Sequence, residues 1–500
     1  VQVWPIKLLV VAGSAAAALE LLRQLSLHLR RSLASPAKRM RWLTPVALLL
    51  LAALVSALGV GEVEPRIIGA AMIGLTLALI VLGMPIAFAL LCTGYLGLAL
   101  LKQDLGIATR TLALSAEGTI SEYVFATVPL FVLMGLFVNV SDIGRDAFRA
   151  AQRIFGRVHG GLGVATVAAN AVFAAITGIS VAAAAIFSKI AVPEMVRQGY
   201  TPKFAVGLTA GSSLLGMLIP PSLLLIIYGV LAEVSIGGLF LAAVIPGMLL
   251  AVAFAIGVIL MAWLWPSFVG HVKTGAAARE AEQTAGGNVF LGMVPVLLLI
   301  VLVLGGIYGG VFTPTEAGAA GAFGAMLLTI IRRRLSLAKL WEVISETGQV
   351  SVAILFLIIA ASTFSRMLTL TELPQDMAAF LSNTGLGMPG FLAAYLLLLI
   401  LLGAMLDSTS IMLIMLPLAL PVATALGANL IWFGIVTTIA IEIGLLTPPF
   451  GLSVYVIKAS VDDQRIGLGT IFAGTFPFVL ITLAVTILLM AFPQLSLVLL

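Results

Sequence analysis

The chain has 500 residues, of which 61% are hydrophobic and only 9% carry a charge. This composition excludes a soluble globular domain and predicts a protein that crosses a membrane several times. The net charge of +5 is explained by basic loops on the cytoplasmic side, so it does not indicate a nucleic-acid partner. One cysteine, Cys92, excludes a disulfide within the chain and a thiolate metal site, and no cofactor is expected.

Residues 1–65 are predicted to contain two apolar helices joined by a basic linker. The runs 1–22 and 43–60 are apolar, and the linker between them is rich in arginine. Acidic residues, Glu62 and Glu64, follow the second run. Because positive loops stay in the cytoplasm, the linker is expected on that side of the membrane.

A first set of apolar spans follows, interrupted by a basic segment. Arginines 145, 149, 153 and 157 repeat every four residues, which predicts an amphipathic helix at the cytoplasmic surface. We interpret this helix as a lipid-facing anchor rather than a partner site. The predicted spans are 66–82, 85–101, 121–140, 204–232 and 238–264.

A polar linker, 266–287, is expected in the cytoplasm and precedes a second set of spans. The basic cluster at 332–334 is also placed inside, and the acidic segment 371–376 is predicted to be an external loop. The second set of spans is 288–306, 314–331, 350–370, 428–458 and 472–496.

Two regions, 162–199 and 388–427, each consist of two apolar runs of about 16 residues that meet at a polar tip. A helix needs about 20 residues to cross a bilayer, so each region is predicted to be a re-entrant hairpin that enters and leaves on the same side. Irregular backbone at that depth must be buried in protein or line a wet cavity, and such places bind ions and substrates in transporters.

The two hairpin regions are related by an internal repeat. The same Ser, Pro and Gly residues recur 228 positions later without an insertion, so the chain is a duplication with halves 66–265 and 288–500. The loop charges place the start of the first half outside and that of the second half inside, which predicts an inverted repeat. The matched pairs are Ser180 and Ser408, Pro193 and Pro421, Gly199 and Gly427, Gly216 and Gly444, Pro220 and Pro448, and Pro221 and Pro449.

Each half has the elements of a sodium site. A helix broken at Gly-x-x-x-Pro-Pro frees backbone carbonyls, because proline donates no hydrogen bond, and hairpin tips add hydroxyl oxygens. Helix N-termini at the same breaks favour anions, so an anionic substrate is expected beside the sodium ions. The candidate sodium ligands are Thr177, Ser180, Ser212, Gly216 and Pro220 in the first half, and Asp407, Ser408, Thr409, Gly444, Thr447 and Pro448 in the second.

Structural explanations compete with these roles. Ser and Thr hydroxyls in membrane helices often bond to their own helix, and a Pro-Pro pair can be a simple kink. Asp407 and Glu442 are ionisable residues in apolar runs and are therefore functional candidates, although either can be a structural partner. Arg366 is a weak candidate ligand for a substrate carboxylate, because its side chain can snorkel to the interface.

Several motifs resemble the large membrane subunit of the tripartite ATP-independent periplasmic (TRAP) transporters. They are GMPIAF at 83–88, FAAITGISVA at 173–182 followed by VPEMVRQGY at 192–200, LIPPS at 218–222, LLGAMLDSTS at 401–410 and EIGLLTPPFG at 442–451. The likeness covers about 66–500. Residues 1–31 look like the last helix of the family's small membrane subunit, and 43–60 look like the helix that joins the two subunits in fused members, so a truncated fusion is expected.

The resemblance implies an inverted-repeat, ion-transporter-superfamily fold and a sodium-driven elevator importer in the bacterial inner membrane. It implies a periplasmic binding protein and a small membrane subunit as partners, and a small carboxylate, such as a C4-dicarboxylate or a sialic acid, as the substrate. Sodium is the coupling ion. The residues that would flank the substrate are Asn170, Gly178, Ser213, Pro221, Glu442, Pro449 and Arg366.

Other functions stay open at this point. A sodium symporter of organic anions that needs no binding protein would have the same hairpins. A membrane-embedded enzyme is a remote alternative, since G-x-S-x-G and His-Glu-x-x-His motifs are missing. An ATP-driven pump is equally disfavoured, because there is no G-x-x-x-x-G-K-[ST] loop.

Overall fold

A computed structural model describes residues 63–270, 289–461, 463 and 465–500. The predicted small-subunit-like and fusion helices within 1–62, and residues 271–287 of the predicted linker 266–287, lie outside the described residues. Within the described ranges every regular element is a helix, which confirms the predicted all-α membrane fold.

The first half begins with two apolar helices and reaches its hairpin after three further helices. Its elements are α1 (Pro65–Val81), α2 (Ile86–Lys102), α3 (Leu105–Ser121), α4 (Thr127–Val140, after a 3-10 turn at Tyr123–Ala126), α5 (Ile143–Phe155), α6 (Gly161–Thr177), α7 (Ser180–Arg197), α8 (Pro202–Ser213), α9 (Leu215–Leu218), α10 (Leu223–Leu231), α11 (Ile236–Leu264) and α12 (Pro266–Val269).

The second half repeats this order of helices. Its elements are α13 (Val289–Ile300, continued by a π-helical turn at Val301–Gly305), α14 (Gly306–Tyr308), α15 (Pro314–Ile331), α16 (Leu337–Leu370), α17 (Leu373–Asn383), α18 (Gly387–Gly403), α19 (Ser408–Ala425), α20 (Leu430–Gly444), α21 (Leu452–Ser460), α22 (Leu468–Ala491) and α23 (Gln494–Leu497).

Element bounds follow the repeat closely. Ser180–Arg197 recurs as Ser408–Ala425, which begins 228 positions later, and Ile143–Phe155 has its counterpart in Leu373–Asn383. One difference between the halves lies in the helices before the hairpins. The first half has α3 and α4 separated at Glu122, whereas the second half has the single 34-residue helix α16 in the equivalent positions.

Six helices in the described part are long and apolar enough to cross a membrane. A seventh crossing results when Pro202–Leu218 and Leu223–Leu231, which are bent by 42° at their break, are taken as one span. The hairpin arms have 17 and 18 residues in both halves. At about 1.5 Å per residue they are about 25–27 Å long, slightly less than the ~30 Å hydrocarbon core.

Two helices of more than ten residues occur where no helix was predicted. Leu105–Ser121 lies between predicted spans, and Leu373–Asn383 begins inside the segment that was assigned to an external loop. Neither is apolar enough to be found as a span. Their local start signals are clear, because the Asp104 side chain accepts hydrogen bonds from the backbone of Gly106 and Ile107, and Pro374 occupies the first turn of α17.

The arginine-rich helix α5 forms as predicted, but protein covers its apolar face. Ile143, Ala147 and Phe148 are buried, and the ring of Phe148 lies 6.5 Å from that of Phe187 in the first hairpin. This packing corrects the interpretation of the helix as a lipid-facing anchor. Its polar side is tied to the other half, since Asp146 pairs with Arg332 at 2.5 Å.

Candidate functional site

The tip of the first hairpin lies against the broken segment between α9 and α10. Gly178, with φ of +63°, forms the turn, and its carbonyl accepts a hydrogen bond from Leu223 N at 3.2 Å. A Cβ atom at Gly178 would lie 2.5 Å from the carbonyl oxygen of Pro221. Only glycine fits this conformation and this contact, so the position is closed to larger residues.

Gly216 allows α9 to lie against the backbone at the start of α7. A Cβ atom at Gly216 would lie 3.0 Å from the Ser180 backbone nitrogen and Cα. One helix away, the Asn170 side chain donates a hydrogen bond of 2.7 Å to the Ser212 hydroxyl, and both residues are fully buried. The first-half candidates therefore form a connected, buried group.

The second hairpin meets its broken segment by the same kind of contacts. The amides of Phe450 and Gly451 both donate to the Ala404 carbonyl at the tip, at 3.1 and 3.2 Å. Gly403 and Gly444 are in backbone contact, because a Cβ atom at Gly444 would lie 2.5 Å from the Gly403 Cα. Gly403 was not singled out in the sequence, since nothing local marks a glycine that another helix approaches.

The two hairpins converge on the buried carboxyl group of Glu442. Ser408 Oγ donates a hydrogen bond of 2.8 Å to Glu442 Oε1, and the Ser180 side chain faces the same carboxyl group. Glu442 is 2% exposed. Ser180 and Ser408 are equivalent in the repeat, whereas the position equivalent to Glu442 is Leu214. The second half alone therefore supplies the acidic residue that serine residues of both hairpins approach.

Several other candidate hydroxyls bond within their own helices. Thr177 donates to Phe173 O at 2.9 Å, Ser213 to Ala210 O at 2.8 Å, and Thr447 to Ile443 O at 2.8 Å. Their oxygen lone pairs remain able to accept or coordinate. Ser180 is different, because its buried hydroxyl has no hydrogen-bond partner among the described residues.

Three groups of predicted site residues lie apart from the buried centre. Asp407 is exposed and caps α19, accepting hydrogen bonds from the amide (3.1 Å) and the hydroxyl of Ser410. Arg366 is exposed and makes no ion pair within the described ranges. Pro448 and Pro449 are exposed, whereas Pro220 and Pro221 are buried, although both pairs are joined by cis peptide bonds. Thr409, beside the tip, is half-buried.

Where the two hairpins meet, the buried hydroxyl groups of Ser180 and Ser408 lie beside the carboxyl group of Glu442. No group of three or more His, Cys, Asp or Glu residues that could hold a metal ion occurs in the described part of the chain.

Comparison with known families decides the class of protein. The family described as tripartite ATP-independent periplasmic transporter, DctM component, matches residues 73–495. The chain belongs to this family. As a DctM-type large permease it is a transporter component and not an enzyme, and it is a multi-pass protein of the bacterial inner membrane.

Individual relatives agree with this assignment. The chain is 34% identical over 411 residues to the C4-dicarboxylate TRAP transporter large permease DctM of Pseudomonas aeruginosa, covering 81% of the chain and 92% of that protein. It is 31% identical over 424 residues to the sialic acid TRAP transporter large permease SiaM of Vibrio cholerae, covering 85% and 96%.

A solved structure shares the fold. The YdaH transporter of Alcanivorax borkumensis aligns with a TM-score of 0.56 at 15% identity, over 86% of this chain and 98% of that one. At this identity the likeness concerns the fold alone.

Proposed function

We propose that this DctM-type chain is the permease of a sodium-coupled importer of small organic acids. A periplasmic binding protein delivers the substrate, and a small membrane subunit completes the complex. The observation that carries the proposal is the meeting of both hairpin tips, one from each repeat, at the buried Glu442 carboxyl group. Coupling requires ions and substrate to bind in one closed place, and this junction has the buried oxygen atoms for it.

Two packing groups in the fold support an elevator movement. The hairpins and broken segments pack on each other and on α11 and α22, as the Gly207 and Gly474 backbones in α8 and α22 illustrate. A separate group consists of α1, α2, α4, α15 and α16. In the proposed cycle the first group carries substrate and sodium past the second.

The substrate class rests on the relatives and on electrostatics. One relative is a C4-dicarboxylate permease and another a sialic acid permease, and both substrates are carboxylates. The backbone N–H groups at the starts of α7 and α21 have no side-chain cap, lie beside the breaks and favour an anion. Sodium bound at the same junction offsets the substrate charge.

The test is uptake of radiolabelled organic acids into proteoliposomes. They contain the full chain with its small membrane subunit, under an inward sodium or potassium gradient, with and without the cognate binding protein. We expect uptake only with sodium and binding protein together. Uptake with sodium alone would replace the proposal by the simple symporter, and uptake that is equal in potassium would refute sodium coupling.

A further inference from the structure

Arg332 lies at the joint between helix α4 and the arginine-rich helix α5. Its Nη1 atom donates to the Ser141 carbonyl at the end of α4, at 3.2 Å, and to Asp146 Oδ2 in the first turn of α5, at 2.5 Å. One guanidinium group therefore contacts both sides of the joint. Asp142, between the two helices, has a φ of +62° and pairs with Arg334 at 3.6 Å. A positive φ is uncommon outside glycine, and residues at the ends of elements often absorb the rotation of a hinge.

The two helices at this joint pack on different parts of the molecule. Helix α4 lies against α15, where the Thr329 hydroxyl donates to the Phe137 carbonyl at 3.1 Å. Helix α5 lies along the first hairpin, where a Cβ atom at Gly144 would be 3.2 Å from the side chain of Ile186. Movement of the hairpin past α4 and α15 therefore has to change the angle between α4 and α5.

We propose that Arg332 is a positioning residue for transport, which braces the α4–α5 joint in the present conformation and releases Asp146 when the hairpin moves. The proposal rests on the proposed elevator movement and adds the contact that holds one of its states. Asp146 lies one helical turn beyond the joint, so its carboxylate follows α5. The Ser141 carbonyl lies on the α4 side, so Arg332 can keep this contact after the ion pair opens.

Helix α17, which precedes the second hairpin, begins in the same way as α5. An acidic residue with a positive φ, Glu372 at +55°, stands directly before α17, as Asp142 does before α5. The fourth residue of each helix is an aspartate, and the one in α17, Asp376, pairs with Arg66 of the first half at 2.9 Å. Each of the two helices is thus held by an arginine of the opposite half. This recurrence in both halves indicates a function in the repeat and not an isolated surface contact.

The ion pair at the α4–α5 joint is suited to opening. The side chains of Arg332 and Asp146 are 22% and 26% exposed, so water and salt reach them. Ion pairs in contact with water are weaker than buried ones, and added salt screens them. Such a pair can hold α5 in position and still separate without leaving an unpaired charge in an apolar interior.

The experiment measures the position of the first hairpin relative to α16. In a Cys92→Ala background, Val196→Cys at the base of the hairpin and Leu337→Cys at the start of α16, both exposed in the structure, carry a donor and an acceptor dye. Single-molecule energy transfer is recorded on the full chain with its small membrane subunit in lipid nanodiscs. Asp146→Asn keeps the shape of the side chain and removes its charge. We expect it to lower the ratio of the present conformation to all others by about threefold, the size expected for an ion pair in contact with water.

Matched variants control for charge and folding. Glu194→Gln removes a carboxylate that pairs with Arg197 at 2.8 Å within α7, so this pair moves as one unit with the hairpin and the ratio should stay at the wild-type value. Exchange of the charges, by Asp146→Arg together with Arg332→Asp, should restore part of the ratio. If these variants do not fold, the wild type still tests the pair, because raising potassium chloride from about 0.05 M to about 0.5 M should lower the ratio by screening.

The outcomes separate this inference from the proposed function. One unchanging distance under all conditions, including sodium with substrate and binding protein, would show that the elevator movement is wrong and the brace with it. If several conformations exchange but Asp146→Asn has the wild-type ratio, the brace is wrong while the elevator movement stands. A fall in the ratio that is absent from Glu194→Gln and reversed by the exchange of charges supports the brace.

Discussion

Ser180 and Ser408 are equivalent in the repeat but differ in bonding, so their alanine variants should differ. Ser408 donates to Glu442 Oε1 at 2.8 Å, whereas Ser180 has no hydrogen-bond partner among the described residues. We expect both variants to weaken the sodium dependence of uptake. Only Ser408→Ala should lower the free energy of unfolding, by about 1–3 kcal/mol, because it leaves a buried acceptor unsatisfied. Sodium titrations of uptake and thermal unfolding measure the two effects.

Ser351→Ala is the matched control for this pair. Ser351 is also buried, but its hydroxyl bonds to Thr347 O of its own helix at 2.6 Å, away from the hairpin tips. Its sodium titration should coincide with that of wild type. Unchanged sodium dependence in Ser180→Ala would remove Ser180 from the ion site, and the same holds for Ser408.

At the scale of elements, the contact between α18 and α20 sets how closely the second hairpin approaches its broken helix. A Cβ atom at Gly444 would lie 2.5 Å from the Gly403 Cα, so Gly444→Ala must separate the helices. We expect a loss of about 1–3 kcal/mol in the free energy of unfolding, as for other overpacked sites. Uptake should fall as well, because the tip no longer seats. Thermal unfolding and uptake measure these losses.

Gly348→Ala provides the comparison. This glycine lies inside α16 with nothing within 4 Å of an added Cβ atom, so alanine should be neutral or slightly stabilising. If Gly444→Ala were as stable and as active as Gly348→Ala, close approach of the backbones would not be required at this contact. In that case any effect of Gly444 on sodium dependence would come from its predicted role as a carbonyl ligand and not from helix packing.

At the scale of the whole molecule, the two broken segments differ in exposure. Phe450 is 53% exposed, whereas Leu223 on the equivalent segment of the first half is 8% exposed. If the halves exchange environments during transport, this difference should invert. With cysteine at either position in a Cys92→Ala background, a water-soluble thiol reagent should modify Phe450→Cys several-fold faster than Leu223→Cys in the resting protein.

Sodium and substrate together should slow the labelling of Phe450→Cys and accelerate the labelling of Leu223→Cys. Labelling rates in nanodiscs, followed by mass spectrometry, measure the change. Sodium replaced by potassium serves as the control, and it should leave both rates as they are in the resting protein. Rates that do not respond to ligands would contradict an exchange of environments between the halves.

The sequence predicted much of this architecture because proline and glycine act locally. The Pro-Pro pairs that begin at Pro220 and Pro448 interrupt a helix in any context. Because the pairs are repeated at a fixed offset, they indicated where the two hairpins lie in the sequence. The meeting of Ser180, Ser408 and Glu442 was not predicted, since it depends on how distant helices pack. Helix α3 was missed for another reason, because its Asp104 cap is a weaker signal than an apolar run.

The long helix α16 carries charges at the two ends of its apolar part. Glu346 and Arg366 are twenty residues apart with no charge between them, which corresponds to about 30 Å along the axis and matches the hydrocarbon thickness. Sliding the helix toward either leaflet would draw one of these charges into the lipid, at a cost of up to roughly 2.5–3.5 kcal/mol if it reached the bilayer centre. These costs oppose any movement of α16 along the membrane normal. In the proposed elevator cycle, substrate would therefore move with other helices against α16.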